Sequence, residues 1–196
     1  MSEGIMSDTS KDCRQDIEYE LDPEHMFISF FRVMTHLLTH PRVFFEGMPA
    51  SGGFRPPVLF LVLCSIVFTI GSSTYLAGRT WLLTLIFFAN SMAMPFFTAF
   101  VLHIVVGMFF GRRSYETLFR INAYAGITQL ASWIPFFGYM TEPWRFFLIG
   151  AGLARACGLK WAYALVSVVI TFVVMLLFIW SLQPVMVFLK SIITSF

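Results

Sequence analysis

The sequence predicts an all-α protein: a polytopic bundle of transmembrane helices with about five spans, preceded by an interfacial amphipathic helix. Three observations carry that expectation. Of the 196 residues, 58% are hydrophobic and 12% charged, against about 45–50% and about 25% in a soluble domain. The stretch from Trp81 to Phe110 contains no Asp, Glu, Lys or Arg. Charge is also segregated, with eight acids in the first 25 residues and only Glu46, Glu116 and Glu142 thereafter. Eleven Lys and Arg sit in that second part, and basic residues of this kind mark the cytoplasmic ends of spans, so nucleic acid is not an implied partner.

Residues 1–25 read as an acidic, solvated cytoplasmic tail with too little apolar character to bury a core. They offer no basic n-region or apolar h-region of a signal peptide, so the first span is expected to direct insertion. Residues 26–55 form an interfacial unit. Phe27, Phe30, Phe31, Met34, Leu37 and Leu38 recur at three- and four-residue spacing between Met26 and His40, with polar residues around the rest of the wheel. That is an amphipathic helix of about four turns, placed with its apolar face in the interface or against the bundle. Pro41 ends it, because the residue before a proline avoids helical geometry. The connector Arg42–Arg55, punctuated by Gly47, Pro49, Gly52 and Gly53, reads as irregular.

Residues 56–196 are expected to hold the five spans. The first runs from Pro56 to about Gly78. The second, Trp81–Phe110, would be about 45 Å of helix, longer than a hydrocarbon core of about 30 Å, so it should tilt or kink at Pro95. The third, about Leu118–Tyr139, contains Pro135 as a second kink site. Met140-Thr141-Glu142-Pro143 reads as a turn. A short fourth span follows at Trp144–Cys157, then a fifth from Trp161 to about Leu182, with Pro184 breaking or bending what remains. With the tail inside, the cytoplasmic side collects Arg42, Arg55, Arg112, Arg113, Arg120, Arg155 and Lys160, and the far side Arg79, Arg145 and Lys190. This predicts N-in and, with five spans, a C-terminus on the opposite side. Trp81, Trp144, Trp161 and Trp180 near the span ends are placed as interfacial anchors.

Chemistry-bearing patterns are sparse. His36 and His40 have metal-ligand spacing but no third ligand beyond His25 and Glu46, which leaves them as polar-face histidines. There is no His-Glu-x-x-His, Gly-x-Ser-x-Gly or Gly-Lys-Ser/Thr motif, and a Ser72/His103 dyad has no support, so neither an enzyme, a metal nor a cofactor is implied. Cys13, Cys64 and Cys157 are scattered and unpaired in spacing. Asn90, His103, Asn122 and Gln129 are the polar groups expected at membrane depth, as an interhelical hydrogen-bond cluster or as a polar path. Asn122 and Gln129, seven apart, are expected to share a helix face. Gly150, Ala154 and Gly158, and Gly107 with Gly111, have the four-residue spacing of close helix packing. Gly71-Ser72-Ser73 is a small-residue triplet of the same kind.

Several segments together resemble the Yip domain family, the Ypt/Rab-interacting small membrane proteins and their prokaryotic relatives. Pro41-Arg42-Val43-Phe44-Phe45-Glu46-Gly47-Met48 resembles the family's Pro-x-x-Phe-Phe entry to the first span. Asn122-Ala123-Tyr124-Ala125-Gly126 is similar to the segment opening its third helix, and Ile134-Pro135-Phe136-Phe137-Gly138 to the turn closing it. Trp144, Gly150, Gly152-Leu153 and Gly158-Leu159 resemble its fourth-helix pattern. The Asp-Leu-Tyr-Gly-Pro motif of the Golgi members is absent; the tail reads Ile17-Glu18-Tyr19-Glu20-Leu21-Asp22-Pro23, which points to a prokaryotic member in the cytoplasmic membrane. The resemblance covers about Phe27 to Leu182 and implies five spans, a cytoplasmic N-terminus, and a non-enzymatic scaffold or membrane-organising role. Implied partners are the lipid bilayer, a protein at the acidic tail, and a second copy of the chain. The alternative is a small transporter, channel or lipid-moving protein using Asn90, His103, Asn122 and Gln129. An open, water-lined cavity would favour transport, and a buried, mutually satisfied cluster the scaffold.

Overall fold

The computed structural model describes residues 25–49, 52–75 and 81–194, and among them every regular element is helical. The acidic tail therefore lies outside the described residues.

Helix α1, Met26–Thr39, ends where His40 leaves helical geometry (φ −134, ψ 60) ahead of Pro41. The wheel splits its apolar stripe in two. Phe30, Val33 and Leu37 are buried against the bundle, whereas Phe27, Phe31 and Leu38 are exposed at 69, 58 and 43%. Helix α2, Pro41–Gly47, occupies the first half of the connector expected to be irregular. Pro41 at its first position is suited to a helix start, and Phe44 and Phe45 are fully buried. Here tertiary burial outweighs the breaker residues.

Helix α3, Arg55–Tyr75, and helix α4, Trp81–Phe109, follow as expected from their apolar runs. Pro95 lies inside α4 without ending it. Gly111, with φ +92, turns the chain out of α4, a backbone region that only glycine adopts readily. Helix α5, Tyr115–Ala125, continues through a 3₁₀ turn, Gly126–Thr128, into the short helix α6, Gln129–Ser132.

The next segment corrects the sequence reading. The turn expected at Met140–Pro143 is instead helical, and the chain reverses at Trp133–Ile134. Ile134 is extended and Pro135 opens helix α7, Pro135–Ala156, so Pro135 starts a helix and does not kink one. Pro143 is accommodated inside α7. The fourth segment thereby grows to 22 residues, or about 33 Å. Gly158 (φ +65) then turns the chain. Helix α8, Trp161–Thr194, runs on through Pro184, so of the break or bend expected there the break does not occur.

Burial is inverted relative to a water-soluble protein. α5 is buried continuously from Thr117 to Ala125 although it carries Thr117, Arg120 and Asn122. The most apolar helices, α4 and α8, lie outside it, and the span-length part of α8 is only 22% buried. Apolar side chains left bare on long apolar helices require lipid around them. The segments Arg55–Thr74, Thr84–Phe109 and Trp161–Phe178 are long and apolar enough to cross a membrane. The chain is an integral membrane protein.

Candidate functional site

The ends of the helices that carry basic residues meet at one end of the bundle. Phe54, just before α3, packs its ring on Tyr115 at the start of α5, with centroids 6.3 Å apart. Phe110 after α4 meets Tyr163 of α8 at 5.1 Å. Glu46 of α2 pairs with Arg155 of α7 at 3.7 Å, and Arg42 lies 5.7 Å over the Trp161 ring. α1 and α2 thus form a cap over this end.

Aromatic contacts seat the cap. Phe30 of α1 touches Phe60 of α3, centroids 5.1 Å apart, and Phe60 touches Tyr124 of α5 at 5.2 Å. Phe44 of α2 meets the same Tyr124 ring edge-on at 5.2 Å. Two segments singled out by resemblance, Pro41–Met48 and Asn122–Gly126, therefore meet in one aromatic cluster. The flank of α1 bearing Phe27, Phe31 and Leu38 stays largely bare, with Phe31 touching the cluster edge-on at Phe30, centroids 5.9 Å apart.

Arg120 locks the loop beneath the cap. Its side chain is fully buried, yet its guanidinium donates to the carbonyls of Pro49 (3.1 Å) and Gly53 (2.8 Å) and lies 3.5 Å from Glu116. Glu116 in turn accepts from the backbone N–H groups of Gly52 (3.0 Å) and Gly53 (2.8 Å). These two N–H groups, more than the guanidinium, hold the Glu116 carboxyl below the usual carboxylate range. Gly53 has φ +82, so the loop reaches both partners only because no Cβ is present. The sequence places Arg120 only among the cytoplasmic-side cations; its burial is visible once the loop folds back onto it.

The four predicted polar residues do not converge. Asn90 is exposed on α4. His103 is half-buried with its ring edge-on to Tyr115 at 6.0 Å. Asn122 is fully buried and donates to the Leu118 carbonyl of its own helix at 2.9 Å. Gln129 alone joins an interhelical network: the Ser91 hydroxyl donates to Gln129 Oε1 at 3.1 Å and accepts from the Ser65 hydroxyl, with the two oxygens 2.7 Å apart.

The Gln129 network also explains how Pro95 is tolerated. A proline removes the hydrogen bond to the carbonyl four residues earlier, here Ser91. The Gln129 Nε2 donates to that Ser91 carbonyl at 3.3 Å. A neighbouring helix thus re-satisfies the group freed by the proline.

The small residues divide differently from their spacing. Gly152 is the close-packing glycine of α7, where a Cβ would sit 2.5 Å from Ile121; at Gly71 it would sit 2.5 Å from the Trp133 ring. Gly150 has ordinary contacts with Leu165 and Trp161, and Gly107 has open space around it. Gly111 and Gly158 serve the positive-φ turns after α4 and α7. Ala154 is packed at the edge of the core. Among the described residues no three His, Cys, Asp or Glu come together as a metal group, and Cys64 and Cys157 are buried free thiols.

A model of the Yip1 domain family matches residues 35–182, most of the chain. No curated protein and no solved structure matches it.

Proposed function

The chain belongs to the Yip1 domain family, and we propose that it serves as a non-enzymatic membrane-organising scaffold. In this reading residues 56–196 make five spans with the N-terminus cytoplasmic and the C-terminus opposite. α1 lies in the cytoplasmic headgroup layer, and the acidic residues 1–25 are left to a protein partner.

The observation that carries the proposal is the split face of α1. Phe30, Val33 and Leu37 fasten the helix to the bundle while Phe27, Phe31 and Leu38 stay bare. A helix held rigidly at the bundle end, with one apolar flank free, places a wedge in one leaflet. The locked loop under it, through Arg120 and Glu116, keeps the wedge from tilting away. The transport alternative has less support, because Ser65, Ser91 and Gln129 satisfy one another and Asn90 faces outward.

The test reconstitutes the full chain into large vesicles and images their shape by electron microscopy. Wild type is expected to narrow or tubulate them, and a Phe27→Ser, Phe31→Ser, Leu38→Ser variant of unchanged melting temperature to leave them round. Equal deformation by both would overturn the wedge.

A further inference from the structure

A cavity of about 230 Å³ opens between α4, α7 and α8, lined almost wholly by apolar side chains such as Leu102, Ile149 and Phe172. It is separate from the cap and from the Gln129 network, and its wall has two further features. Glu142 and Arg145 of α7 both line it, and among the described residues neither forms an ion pair within 4 Å. Thr171 of α8 also lines it, is 96% buried by its 4% exposure, and its Oγ1 has no hydrogen-bond partner.

The bare hydroxyl is unusual in this chain. Thr69, Thr98 and Ser167 each donate to a carbonyl one turn earlier, at 2.7, 2.8 and 2.9 Å, the usual way to satisfy such a group inside a helix bundle. A buried hydroxyl without a partner costs free energy, and a ligand in the cavity would relieve that cost. Glu142 and Arg145 act on each other electrostatically without closing a direct ion pair, and opposite charges held in this way beside an apolar slot also match a ligand with both charges and an apolar tail. The cavity is smaller than the roughly 300–1,000 Å³ of pockets that enclose a whole ligand, so it would take part of a molecule.

We propose that this cavity is a lipid site for one amine-bearing, zwitterionic phospholipid. Its phosphate sits on Arg145, its ammonium on Glu142, a glycerol ester oxygen on the Thr171 hydroxyl, and one acyl chain in the slot. The site does not depend on the α1 wedge, so either reading can fail alone.

The experiment is native mass spectrometry of the full chain in detergent, titrated separately with phosphatidylethanolamine, phosphatidylglycerol and inorganic phosphate. Wild type is expected to retain one phosphatidylethanolamine per chain at least tenfold more tightly than phosphatidylglycerol. Arg145→Met should abolish that preference together with most of the binding, and Glu142→Gln should bring the two lipids level. Should Arg145→Met fold poorly, Ile149→Trp, which fills the slot from its apolar wall, must also displace the lipid. Adducts of the same number and strength in wild type and Ile149→Trp would mean annular lipid only and overturn the site. Equal retention of both lipids by wild type, or full competition by inorganic phosphate, would overturn the assignment of the headgroup.

Discussion

Two arginines of this chain each follow a glutamate within one helical turn, and the fold uses them in opposite ways. Arg120 comes four residues after Glu116, is fully buried, and spends its donors on the loop carbonyls of Pro49 and Gly53. Arg145 comes three residues after Glu142 and lines a cavity between the outer helices. Around Arg120 the chain is closed by its own backbone; around Arg145 it is left open. The first arrangement fits a structural lock and the second a place for something outside the chain. A charge at membrane depth is costly unless it finds a partner, so what distinguishes the two is where the partner comes from.

The largest expected effect tests the lock. Arg120→Met leaves the Pro49 and Gly53 carbonyls without their donor and Glu116 with only its two backbone donors, and each orphaned acceptor costs about 1–3 kcal/mol. Denaturant unfolding in mixed micelles reads that loss, and Arg145→Met in the same assay is expected to change stability by less than about 1 kcal/mol. Equal losses would break the comparison.

Packing sharpens it next. Gly152→Val drives a side chain into Ile121, an overpacking cost of about 1–3 kcal/mol. Gly107→Ala, in open space, is expected to be neutral or slightly stabilising. Thermal unfolding of the two variants tests whether the inner wall around α5 is the rigid one.

Ser91→Ala removes the hydroxyl joining Ser65 to Gln129, an interhelical bond worth about 0.6 kcal/mol on average and up to about 1.7 in comparable bundles. Ser91 O remains for Gln129, so the loss should be modest in a denaturant titration. A collapse of folding would show the network to be carrying far more than hydrogen bonding explains.

The smallest effect is a pH dependence. Glu116 is held below the ordinary carboxylate value of about 4.5 by Gly52 and Gly53. A depressed folded value stabilises the folded loop at pH above the unfolded value, and that contribution disappears as the pH falls through the depressed one. Hydrogen exchange at Gly52 and Gly53, corrected for the intrinsic rate, should therefore accelerate only in acid. Glu116→Gln should show the faster exchange already at neutral pH.

The sequence made some of this legible and left some hidden, for identifiable reasons. The apolar runs of α3, α4 and α8 are long and uncharged, so their helices were readable from hydropathy alone. α1 was readable by period, and its two apolar flanks explain why both of its expected contacts, lipid and bundle, were plausible. The reversal at Trp133–Ile134 was misplaced because two prolines competed. Pro143 sits between Thr141, Glu142 and Trp144 and looks like a turn, yet Pro135 occupies the helix start where a proline is least disruptive. Gln129 was picked out as a polar group at depth, but its partners Ser65 and Ser91 were not. Nothing in their local sequence marks them; they are brought together by α3, α4 and α6. The burial of Arg120 was hidden for the same reason, since it depends on a loop some 67 residues earlier in the chain.

The most direct measurement of the central proposal is the depth of nitroxide labels on α1 in vesicles, with labels placed singly at positions 31, 38, 32 and 39. The account predicts that labels at 31 and 38 lie at the boundary of headgroups and acyl chains, shielded from a water-soluble relaxant, while labels at 32 and 39 remain accessible to it. All four labels in water would contradict the account, because α1 would then be a cap on the bundle and no wedge in the membrane.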